Sequence, residues 1–355
     1  MKKIMTTTYA VICTLLLVAG FLVAFGFAWK AGTAATVEVV VGLALGFALA
    51  PIVHELGHVC FALFSKMDCV HVKCFCIKIT LKDGKKRFAL AWPFANDETQ
   101  AVPKCGGNME KRAARYTLGG LAFSSVFLGV IVLAAILCSV LGRTRFLLWG
   151  LLPYTAYLFF LNALPLEYAN GKTDASVYQG IKQGSDVEKV MLSAMEIQGQ
   201  LYEGKRFAEI EEKYYFDVPQ LCEEEPLYAI MLDLRYRYYL DKEDLEKAAD
   251  CLNRLAGTQG YLPDEEVEKI AAELTYMHVL NGDMERANDC AKLCEGYLQG
   301  SSATAKRVLL AYSKAINQKE MLEELGRQAN VALSKERIAG ARLLEEKLIS
   351  RVVSV

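Results

Sequence analysis

Residues 39–64 read VVVGLALGFALAPIVHELGHVCFALF, an apolar stretch long enough to cross a bilayer, with His54-Glu55-Leu56-Gly57-His58 set inside it. Residues four apart on a helix share a face, so this spacing turns both imidazoles toward a single Zn²⁺ and leaves Glu55 beside a metal-bound water. Ionisable groups are costly in hydrocarbon, by roughly 2.5 to 3.5 kcal/mol at the centre of a span, and their presence there marks a functional site by default. The plain alternative is a chance match on a helix that holds no metal. Only four histidines occur in the 355 residues, His54, His58, His71 and His278, which makes a chance pair at this spacing rare.

Three further stretches carry no charge: 4–29, 116–142 and 146–166, of 26, 27 and 21 residues. With the His54 segment they predict four transmembrane helices. Charge then divides the chain. Residues 1–175 hold 17 Lys and Arg against 9 Asp and Glu, whereas 176–355 hold 23 against 32. The reading is a mainly α membrane domain over 1–185, with a small β-hairpin insertion at about 66–105, followed by an acidic α-helical soluble domain over 186–355. No nucleic-acid partner is expected. The opening Met1-Lys2-Lys3 and its apolar run also resemble a secretory signal, with small residues at 31–35 as a weak cleavage site. The run is too long for a signal core, however, so a retained first helix is expected.

The loop from 65 to 115 contains 11 Lys and Arg, while the other connections contribute only Lys30, Arg143 and Arg145. This places the basic loop in the cytoplasm. Four crossings of the cell membrane then put both termini and the rear domain there as well, with the histidines about 9 to 15 Å below the cytoplasmic end of their helix. The eleven cysteines are scattered without a C-x₂-C pair, which reads as free thiols in a reducing compartment.

Within the basic loop, residues alternate from Cys69 to Thr80, turn at Asp83-Gly84 and return from Arg87 to Trp92, a hairpin pattern. Two readings stand: an ordinary loop domain, or an edge strand beside the site onto which an extended substrate adds. Gly119-Gly120, Ala122, Ser124 and Ser125 give the third helix a small face for close packing. The fourth helix ends in Asn162-Ala163-Leu164-Pro165, an amide at membrane depth that should face protein, metal or substrate.

In the rear half, Leu240-Asp-Lys-Glu-Asp-Leu-Glu-Lys-Ala248 is echoed at 280–287 and more loosely at 316–322. The spacing fits paired-helix repeats of the tetratricopeptide type, with a generic helical bundle as the alternative; either is an interaction surface for a protein partner.

Taken together, residues 36–180 resemble the site-2 protease family of intramembrane zinc metalloproteases. The resemblance rests on His54-Glu55-Leu56-Gly57-His58, the Gly119-Gly120 helix start and Asn162-x-x-Pro165 followed by Asn170-Gly171-Lys172-Thr173-Asp174. It implies a Zn²⁺ cofactor held by His54, His58 and a carboxylate near the end of the last core helix. Glu55 is then the general base for hydrolysis of a membrane-anchored protein substrate, whose helix must unwind locally, with Asn162 holding the unwound strand. The commoner family pattern puts an Asp eight residues after the Asn, and here that position is Asn170, an amide and a poor zinc ligand. Asp174 is the favoured third ligand, with Glu167 the other carboxylate in reach; the competing role for Asp174 is to cap a helix over 175–181. The rival to proteolysis is a catalytically silent membrane scaffold that recruits partners through its helical tail.

Overall fold

The computed structural model describes every residue except 1, 83–84, 94–95, 144, 169–170 and 355. The chain divides into two compact units: Met1–Leu81, Lys86–Val102 and Glu110–Ser185 form the first, and Lys82–Lys85, Pro103–Met109 and Asp186–Val355 the second.

Among the described residues, the first unit has four helices long and apolar enough to cross a membrane. Helix α1 (Lys2–Ala31) is separated from α2 (Thr33–Phe64) by Gly32 at φ 117°, a conformation that side chains disfavour. Helix α2 begins six residues before the apolar run and takes in Glu38, which accepts from the backbone N–H of Leu147 at 3.3 Å. Pro51 lies inside α2, one turn before His54.

Four strands follow: β1 (Met67–Cys74), β2 (Ile77–Lys82), β3 (Lys85–Leu90) and β4 (Glu98–Pro103), in the order β3-β2-β1-β4. The strand expected from Cys69 to Thr80 is two strands. It folds back at Phe75-Cys76, with Phe75 at φ 50° and Cys74 opposite Ile77. Both turn residues are apolar, so the alternation ran through the turn without a break. The expected hairpin is therefore a four-stranded sheet; its predicted turn at Asp83-Gly84 lies outside the described residues.

Helix α3 (Met109–Val140) and helix α4 (Phe146–Ala163) complete the four. Contacts between them and α2 depend on missing side chains. A Cβ on Gly42 would strike the Leu147 carbonyl and lie 3.0 Å from Gly150 Cα, and one on Gly46 would lie 3.0 Å from the Leu151 carbonyl. Gly42-x-x-x-Gly46 is thus the seam between α2 and α4. Gly57 meets Gly119 in the same way at the crossing of α2 and α3. After α4 a short hairpin, β5 (Glu167–Tyr168) with β6 (Gly171–Lys172), turns the chain into α5 (Asp174–Gln183).

The second unit is helical: α6 (Asp186–Tyr202), α7 (Lys213–Phe216), α8 (Pro226–Asp241), α9 (Leu245–Gly257), α10 (Asp264–Leu280), α11 (Met284–Leu293), α12 (Glu295–Leu298), α13 (Ala303–Ala315), α14 (Lys319–Lys335) and α15 (Ala339–Ser354). The echoed segments are its turns. Each places one residue in the left-handed region, Glu243, Gly282 or Asn317, and each is closed by a similar backbone bond: Asp244 N–H to Tyr239, Asp283 N–H to His278 and Gln318 N–H to Ser313. Asp244 and Asp283 then cap the next helix by accepting from Lys247 and Arg286 N–H. The chain thus runs through helix hairpins α8–α9, α10–α11 and α13–α14.

Candidate metal centre

Three groups from distant parts of the first unit meet. His54 and His58 project from consecutive turns of α2, and Asp174 reaches them from the first turn of α5. The Nε2 atoms of His54 and His58 lie 3.1 and 3.3 Å from Asp174 Oδ2, and the three potential ligand atoms all lie within 4.8 Å of one another. Asp174 does not cap α5. Thr173 does, accepting from Ser176 N–H at 3.2 Å while its hydroxyl donates to the Leu164 carbonyl at 2.6 Å. One threonine thus starts the helix and ties it to the end of α4.

The imidazoles are oriented from behind. His58 Nδ1 sits 3.0 Å from the Tyr116 carbonyl, which can only accept, so the ring proton is on Nδ1 and a neutral ring presents the bare Nε2 lone pair to the centre. His54 Nδ1 is 3.0 Å from Ser124 Oγ, which leaves its Nε2 directed the same way. These contacts match the outer shell that fixes metal-binding histidines. In the neutral ring the Nε2 lone pair of His58 would face a carboxylate oxygen, and Asp174 Oδ2 is buried with only the two imidazoles against it. Acceptor facing acceptor is unfavourable unless a cation, metal or proton, lies between them. The donor set of two nitrogens and one carboxylate oxygen fits Zn²⁺.

Room for an ion is kept by Gly120 on α3. A Cβ there would collide with His58 Nε2 and lie 2.7 Å from His54 Nε2. The small face of α3 is therefore divided: Gly119 serves helix packing, while Gly120 and Ser124 serve the imidazoles.

Glu55 is buried beside the triad, and its Oε2 accepts from the Thr99 hydroxyl at 2.6 Å. Thr99 belongs to the edge strand β4, and its carbonyl accepts in turn from the Tyr116 hydroxyl. A cavity of about 470 Å³ opens onto His54, Glu55, His58, Thr99, Asn162 and Asp174. Asn162 lines this space, although its Nδ2 donates to the Leu158 carbonyl of its own helix at 3.2 Å.

Glu167 lies on β5 with its side chain 61% exposed, 3.8 Å from Lys172 Nζ and apart from the triad. Asn170 lies outside the described residues. His71 pairs with Glu98 on the sheet, and His278 lies near Asp283 in the second unit. Thr99 and Tyr116 carried no signal in the sequence that tied them to the site.

No protein-family model, curated protein or solved structure matches the chain.

Proposed function

We propose that the chain is an intramembrane zinc metalloprotease that hydrolyses peptide bonds of membrane-anchored proteins. The observation that carries this reading is the convergence of potential ligand atoms of His54, His58 and Asp174 within 4.8 Å of one another, with Glu55 alongside. The resemblance of 36–180 to site-2 proteases supports it. Four helices of membrane length agree with residence in a lipid bilayer, and the distribution of Lys and Arg favours cytoplasmic termini.

Bound to these three side chains, Zn²⁺ supplies Lewis-acid polarisation of the peptide carbonyl and acidifies water. The protein's own groups do the rest. Glu55 accepts a proton from the attacking water as its oxygen bonds to the peptide carbon, and delivers a proton to the amine nitrogen as the C–N bond breaks. The Tyr116 carbonyl keeps the His58 proton on Nδ1, and Ser124 holds the orientation of the His54 ring. Asn162 offers amide groups to a locally unwound substrate segment in the cavity. The helix hairpins of the second unit, tetratricopeptide-like in spacing, serve as a surface for a protein partner.

The test is cleavage of a single-span substrate in detergent or vesicles by the wild type and by Glu55→Gln, with zinc measured in both. Cleavage by the wild type alone, with zinc in both, supports the reading. Zinc in both and cleavage by neither, across several substrates, favours the scaffold.

A further inference from the structure

Thr99 and Tyr116 join the sheet to the centre through three consecutive contacts. The Thr99 hydroxyl donates to Glu55 Oε2 at 2.6 Å, the Tyr116 hydroxyl donates to the Thr99 carbonyl, and the Tyr116 carbonyl accepts from His58 Nδ1 at 3.0 Å. The path begins at the general base, passes through edge strand β4 and α3, and ends on a metal-binding imidazole. Each contact spans elements far apart in sequence, by 44, 17 and 58 residues, so none follows from local helix or strand geometry. Glu55 Oε2 is engaged in this way, while no hydrogen bond is found at Oε1 among the described residues.

We propose that Thr99 is the positioning residue of Glu55, with Tyr116 as the strap that holds Thr99 and His58 in one frame. The proposal rests on the proteolytic reading above. A carboxylate on a glutamate side chain turns about three torsions, and a base must lie within hydrogen-bond reach of the proton that it takes. A hydroxyl fixed on one oxygen removes most of that freedom and leaves the other oxygen for water. The β-sheet is then part of the catalytic frame, because moving β4 would turn the base.

Thr99→Val keeps the shape and removes the donor, and Thr99→Ser restores it. With a single-span substrate, Thr99→Val should lower kcat by about tenfold to a hundredfold with KM and zinc content unchanged, and Thr99→Ser should recover most of the loss. Tyr116→Phe, which keeps the carbonyl to His58, should lower kcat by a smaller factor.

A thermal unfolding cycle tests the contact without any substrate. Thr99→Val should lower the midpoint by about 2–4 °C in the native background and leave it nearly unchanged once Glu55 is Ala. Equal shifts in both backgrounds, zinc loss in Thr99→Val, or unaltered or raised kcat would overturn the proposal. Coupling in the cycle together with a wild type that cleaves nothing would instead remove the proteolytic reading and leave Thr99's hold on Glu55 in place.

Discussion

Both units bury ionisable groups, but they balance them in opposite ways. In the second unit Arg307, fully buried on α13, donates from Nη2 to Glu273 on α10 at 2.7 Å and from Nε to Glu345 on α15 at 2.8 Å. Tyr236 on α8 and Thr304 donate to the same two carboxylates, and the guanidinium lies 4.2 Å over the Tyr276 ring. Burial alone would raise Glu273, and Arg307 with Arg237 outweighs it and holds the carboxyl below its ordinary range. Both carboxylates meet donors and opposite charges, although Arg307 Nη1 and the Tyr276 hydroxyl find no hydrogen-bond partner among the described residues. At the candidate centre of the first unit His54, His58 and Asp174 turn potential ligand atoms toward one another, and the hydrogen bonds that hold the two imidazoles lie on their outer side. The lesson is that a buried network of opposite charges holds helices together, whereas a buried cluster of potential ligands is balanced only with a cation, metal or proton, among them.

The sharpest way to break this contrast is at Glu55. Glu55→Gln keeps both imidazoles and Asp174, so cleavage should fall by about 10³-fold or more while zinc is retained. Turnover at the wild-type rate would remove Glu55 from the mechanism.

The next largest effect belongs to the matched network. Arg307→Ala strands two buried carboxylates and should cost about 3–5 kcal/mol in the unfolding of the second unit, measured by denaturant titration. Replacing Arg307, Glu273 and Glu345 together by apolar residues of similar volume should recover most of that loss. If Arg307→Ala unfolds at the wild-type midpoint, the network is not what joins α10, α13 and α15.

Gly120→Ala is a gentler probe of the unmatched cluster. Alanine favours a helix interior over glycine by about 1 kcal/mol, yet here its Cβ would occupy the space in front of both Nε2 atoms. Zinc affinity should fall about tenfold to a hundredfold, read by competition with a chelator, while helicity by circular dichroism stays the same. Unaltered affinity would mean that α3 does not bound the ion's space.

The smallest expected effect is that of deleting 186–355. All the residues lining the candidate centre belong to the first unit. The truncated chain should keep its zinc in detergent and change instead in its choice of substrate or partner. Loss of zinc on truncation would place part of the catalytic fold in the tail.

The features legible in the sequence share one property, a local period. Three charge-free runs and the apolar His54 segment gave the four long helices, and the four-residue spacing put His54 and His58 on one face. Alternation in the basic loop gave strands but hid the turn at Phe75-Cys76, because two apolar residues do not interrupt an apolar pattern. Asp174 was singled out through a resemblance rather than through any period of its own. Its position depends on Thr173 capping α5 and gripping the end of α4, a long-range contact with no periodic trace. Thr99 and Tyr116 were missed for the same reason. Gly42-x-x-x-Gly46 was passed over in the sequence, although small residues four apart in an apolar helix carry the meaning of a packing seam.

The central claim is that the unmatched cluster binds a metal ion, not just a proton. Zinc content by mass spectrometry, on full-length protein purified with zinc and washed, tests it most directly when wild type is compared with His54→Ala, His58→Ala and Asp174→Ala. The account predicts about one zinc per wild-type chain and a trace in each of the three variants. Equal trace zinc in all four proteins would contradict it.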